Sequence, residues 1–103
     1  MCEKVIRNMN EEQLIRSIQT IGMSCFIKYF EAFTDSSISD EDLIDALMKI
    51  EKYEESGARA RVSQSRRISR ENMVKEALEI ISNSSRTEPW VVTKANSLLN
   101  ENT

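Results

Sequence analysis

Apolar residues recur at steps of three and four along most of this chain, and the steps sort it into helices. The first stripe holds Leu14, Ile18, Ile21, Cys25 and Tyr29, flanked by Ile15, Phe26, Phe30 and Phe33. Asn10 stands ahead of it as an N-cap, with Glu11 and Glu12 in the first turn and Gln13 at the reciprocal capping-box position. The spacing predicts one long helix from this cap to about Phe33, with Gly22 inside it at a cost of about 1 kcal/mol relative to alanine. "TDSSISDED" reads as a turn and a second cap. Ser39 is the N-cap, Asp40, Glu41 and Asp42 sit where the helix dipole favours acids, and Ile38 and Leu43 occupy staple positions. That helix continues through Leu43, Ile44, Leu47 and Met48 to about Ile50. "EKYEESG" is a connection. A third helix starts at about Glu54 or Ser56, with Ser69 as its expected break or cap. A fourth carries Met73, Val74, Ala77, Leu78 and Ile81. "SNSSRTEP" is a loop that leads, with Thr87 or Glu88 as cap and Pro89 in the first turn, into a last helix holding Trp90, Val91, Ala95, Leu98 and Leu99.

Two glycines and one proline in 103 residues are too few for a turn-rich β fold. The expectation is therefore an all-α, compact single domain of about five helices spanning residues 1–103, with 1–9 and 100–103 frayed. The apolar arc of the first helix is wider than one neighbour needs. That width points to a central helix or to a homodimer interface.

Charge changes the picture more than composition does. The net charge is −3, but "SGARARVSQSRRISR", Ser56 to Arg70, holds five arginines and no acid, which leaves −8 for the rest. The preceding Glu31–Glu55 stretch holds nine acids and two lysines. At 100° per residue, Arg59, Arg66 and Arg70 share one line with Ser63 and Arg67 beside them, whereas Ala58, Val62, Ser65 and Ser69 gather opposite, flanked by Arg61 and Ile68. Arginine pairs bidentately with guanine or phosphate, and Ser63 and Gln64 add polar contacts. An amphipathic helix, a connection and a basic second helix resemble, in order alone, the helix-turn-helix regulators. The sixteen residues from Ala46 to Val62 exceed the tight turn of that motif, and Gly57 falls after the place of its glycine.

Other chemistry is sparse. No histidine is present, which removes the commonest general base and zinc ligand. Cys2 and Cys25 are read as two free thiols in a reducing cytoplasm. A calcium loop starting at Asp35 fails, because its sixth position is Asp40 and its twelfth is Ala46. No apolar run has the length of a membrane span. Trp90, Tyr29, Phe30 and Phe33 read as packing aromatics. The expectation is a protein with no catalytic residues, no metal and no cofactor.

The leading functional expectation is a small helix-turn-helix-like regulator of transcription. It would bind double-stranded DNA, as a homodimer, through Arg59, Arg61, Ser63, Gln64, Arg66, Arg67 and Arg70. The alternative is a non-enzymatic protein-interaction module, an adaptor or inhibitor, whose arginine face docks on an acidic protein. Against both stands pairing within the chain, with Glu51, Glu54 and Glu55 near in sequence and Asp42 and Asp45 near in space. Exposed pairs contribute only about 0–1 kcal/mol each, a weak reason to cluster five arginines.

Overall fold

A computed structural model describes residues 10–101, and its regular elements are all helical. They are α1 (Glu11–Ile21), α2 (Met23–Lys28), α3 (Phe30–Thr34), α4 (Asp40–Ile50), α5 (Glu55–Arg70), α6 (Val74–Ser82) and α7 (Pro89–Glu101). The all-α class is as expected. The larger helix count has one cause: the predicted first helix is broken twice. Gly22 adopts φ 90°, ψ 128°, and Tyr29 adopts φ −108°, ψ 23°, while their N–H groups still bond back to Ile18 and Cys25. The apolar pattern explains why breaking wins. On a straight helix Ile27 and Phe30 would point about 150° away from the Leu14–Cys25 stripe, into water. With two bends, Ile27, Phe30, Phe26 and Phe33 are all buried, and Phe26 packs edge-on to Phe30 and stacks on Phe33. Much of the wide apolar arc is thus covered within the chain.

The caps at the two predicted starts form as read. Asn10 Oδ1 accepts from the Gln13 N–H and Gln13 Oε1 from the Asn10 N–H, the two halves of a capping box. Ser39 Oγ accepts from the Asp42 N–H at 3.1 Å. Helix α5 runs past Ser69, and its stop signal is Asn72. Asn72 sits at φ 59°, a left-handed conformation that asparagine tolerates well. The Met73 N–H bonds the Ile68 carbonyl and the Asn72 N–H bonds the Ser69 carbonyl, which is a Schellman closure with both Met73 and Ile68 buried. The α4–α5 connection is shorter than the spacing implied. It is Glu51–Glu54, four residues, with Lys52 at φ 63° making the reversal without a glycine.

Helix α5 lies at the centre and packs against α1, α3, α4 and α6; α7 closes the far side on α6 and α2. The Cα radius of gyration is 13.5 Å, that of a folded chain of this length. Its inner face is Ala58, Val62, Ser65 and Ile68, all buried. Small residues let neighbours approach from both sides, so α5 is clasped rather than laid on a surface. Ser65 is 1% exposed, and its hydroxyl has no hydrogen-bond partner among the described residues. Ser65→Ala should therefore raise stability by about 1 kcal/mol, from relief of a desolvated hydroxyl and a better helix former. Urea unfolding measures it; a loss of stability would mean that the hydroxyl is satisfied in solution.

Candidate functional site

The seven predicted site residues all lie on α5, but they divide between its two flanks. Arg66 has the most constrained position. Its side chain is 11% exposed. Nη1 donates to the carbonyls of Phe33 (2.9 Å) and Asp35 (3.0 Å), Nη2 to the carbonyl of Ile38, and Nε to Asp40 Oδ1 (3.0 Å). One planar fork thus satisfies three backbone carbonyls of the α3–α4 turn and one carboxylate at the start of α4. The turn also holds itself, as Asp35 Oδ1 accepts from the N–H and hydroxyl of Ser37, which keeps that carboxyl below its usual range. Arg59 is next along the same flank. It bonds Glu41 through both terminal nitrogens (3.0 and 3.3 Å) and Glu55 through Nε (2.8 Å), and Glu41 first, then Glu55, holds its guanidinium more firmly charged. Ser63 and Arg70 are exposed on this side, beside Asp40, Glu41 and Ile44 of α4.

The other flank faces α1. Gln64 Oε1 accepts from the Ser17 hydroxyl at 2.6 Å, and Arg67 lies half-buried in a shallow cleft with Gln13 and Arg16. Arg61 sits over the Tyr53 ring, its guanidinium carbon 3.9 Å from the centroid, and Nη1 reaches the Thr20 carbonyl at 3.4 Å. Such stacking is attractive by about 0.5–2 kcal/mol. The acids that bind Arg59 and Arg66 are Asp40, Glu41 and Glu55, and of the carboxylates weighed from sequence Glu55 takes part.

The predicted residues therefore do not form one open basic face. Arg59, Arg61 and Arg66 cross-link α5 to its neighbours, whereas Ser63 and Arg70 point outward. The physical reason is reach. Arg61 and Arg66 meet a neighbouring element before they meet solvent, and Arg59, itself exposed, reaches Glu41 of α4 across the surface.

Polar groups also converge beside the α4–α5 turn. Glu51 accepts from Lys28 Nζ (2.7 Å) and from the Tyr29 hydroxyl (2.6 Å), and these two, lysine first, hold its carboxyl below the usual range. Burial pushes the Tyr29 hydroxyl upward, and its bond to Glu51 adds to this. Cys25 is a free, buried thiol, and burial raises its pKa against the opposing effects of Tyr53 and Arg61. A thiol held protonated is a poor nucleophile. Cys2 lies outside the described residues. Among the described residues no group of three or more cysteine or acidic side chains could hold a metal ion, and no helix is long and apolar enough to cross a membrane.

Two surface features escaped the sequence reading. Trp90, read as a packing aromatic, is 47% exposed, and Ile50 is 60% exposed. A groove of about 750 Å³ runs between the first turn of α1 and the length of α6, with Leu14, Ile15, Met73 and Ile80 in it and Glu11, Glu76 and Glu79 around it. Its sequence signals were Ile15 and Ile80, each an apolar residue off its helix's core stripe. No family model, no curated protein and no solved structure matches the chain.

Proposed function

We propose that this protein is a non-enzymatic interaction module of the cytoplasm, an adaptor or inhibitor that works by binding another protein. The observation that carries the reading is the pairing of three α5 arginines within the chain, Arg61 and Arg66 partly buried and Arg59 in exposed ion pairs. With Arg59, Arg61 and Arg66 engaged by the chain itself, less positive charge is left to meet phosphate. The net charge of −3 and the exposed Trp90 and Ile50 favour a protein partner, since tryptophan is enriched in protein interfaces and like charge opposes duplex approach. The arginine face named from sequence is not the docking face in this reading. The binding surface lies on the acidic and apolar parts of the molecule.

One observation supports a second reading, a homodimeric regulator on double-stranded DNA. Helices α4 and α5 are joined by four residues, as in a helix-turn-helix, and Ser63 and Arg70 face outward from the second helix. A duplex titration with a salt series separates the two. The interaction module should show no saturable binding to a duplex of roughly 25 base pairs, whereas a regulator would lose affinity with a log–log salt slope of about −0.9 per phosphate neutralised. Saturable binding whose slope falls by about one in Arg70→Ala would replace the first reading with the second.

A further inference from the structure

The groove between α1 and α6 has the shape and charge of a recognition site, and nothing in the chemistry above uses it. Resting on the interaction-module reading, we propose that it is the docking site for a basic amphipathic helix of a partner protein. Four observations converge. The floor is apolar, with Leu14 and Met73 buried and Ile15 and Ile80 left half-buried at its surface. The rim is acidic, with Glu11 and Glu79 beside the floor and no lysine or arginine among the described lining residues. The groove is elongated, since its α6 wall runs from Met73 to Asn83, about 15 Å at the helical rise. That length accommodates about three turns of a docked helix. Finally, α6 is anchored behind it, with Ala77, Leu78 and Ile81 in the core and α7 packed close on it.

The charge pattern selects among occupants. An anionic or neutral apolar helix would leave the rim carboxylates facing its own acids or uncompensated apolar surface. A helix with leucine or isoleucine at i, i+3, i+4 and i+7 and lysine or arginine beside them would place methyl groups on Ile15 and Ile80 and cations on Glu11 and Glu79. Desolvation of the apolar floor supplies affinity, and the rim charges set orientation and partner choice.

The test uses the full chain and two synthetic helical peptides of the same leucine pattern, one flanked by lysines and one by glutamates. The lysine peptide should bind saturably and shift the methyl NMR signals of Leu14, Ile15 and Ile80, and the glutamate peptide should not. Ile80→Asp and, separately, the exposed Glu79→Lys should each weaken the lysine peptide about tenfold, as expected for an anchor and for a reversed rim charge. The surface change at Glu79 keeps the test valid if Ile80→Asp fails to fold. Shifts concentrated at Asp40–Asp42, the other acidic cluster, would overturn the proposal, as would equal binding of both peptides. Reversing Lys4 and Arg7 to glutamate in the full chain should leave the affinity within about threefold; a tenfold change would assign the groove to this chain's own N-terminal segment instead. A stoichiometric protein partner that leaves these methyl signals unmoved would refute the groove and spare the interaction-module reading.

Discussion

Arg66→Ala should destabilise the domain by about 3 kcal/mol, more than the loss of any other arginine on α5, because the guanidinium holds four acceptors from an element distant in sequence. Hydrogen bonds involving a charged group contribute about 1.5–3 kcal/mol each net of solvent, and the four do not add, because the α3–α4 turn is open enough for water to replace the guanidinium at some of the carbonyls. For a domain of this size the loss corresponds to a fall in Tm of roughly 12–24 °C. Two companions separate charge from geometry. Arg66→Lys keeps the charge but cannot span three carbonyls, so it should cost about 2 kcal/mol. Asp40→Asn should cost less than about 1 kcal/mol, because the Asp40 carboxylate is 61% exposed and its pairing is screened. Thermal and urea unfolding check all three. An Arg66→Ala protein as stable as the parent, but defective on a duplex, would return Arg66 to the role read from sequence.

The route from sequence to this cage shows what a linear reading can hold. Side-chain caps were legible because their residue types and spacings are local: Asn10 with Gln13, and Ser39 with Asp42. The buried face of α5 was largely legible because helical phase sorts Ala58, Val62 and Ser65 from the arginines. The partners of the arginines were not, for two reasons. Three of the four acceptors around Arg66 are backbone carbonyls, which carry no residue identity and leave no mark in a sequence. The remaining partners depend on how α4 lies along α5, and a one-turn difference exchanges Asp40 and Glu41 for Asp45. An arginine-rich helix therefore has the same sequence signature whether it reads DNA or fastens its own domain. The groove was illegible for a related reason. Ile15 and Ile80 come from helices far apart in the chain, and each alone reads as an off-stripe apolar residue.

The two glycines should respond to the same substitution with opposite sign. Gly22 stands between α1 and α2 at φ 90°, where an added β-carbon would meet nothing closer than Cys25 Cβ at 3.8 Å. There is room for the methyl group, so the cost of Gly22→Ala is backbone conformation alone, about 2 kcal/mol and a Tm lower by roughly 8–16 °C. Gly57 lies in the first turn of α5 without a positive φ, and an added β-carbon meets nothing within 4 Å. Gly57→Ala should therefore stabilise by about 0.5–1 kcal/mol, through a smaller entropy loss on folding. The sequence favours a different outcome at Gly22, since the periodicity runs straight through it and alanine would promote an unbroken helix. That competing helix would have to expose Ile27 and Phe30, both buried now, at about 1.5–3 kcal/mol each. Tertiary burial thus outweighs local propensity, and Gly22→Ala should remain bent and strained. Circular dichroism with unchanged helix content and a lowered Tm would agree; a gain in helicity without loss of stability would mean that the bend is not what buries the aromatic cluster.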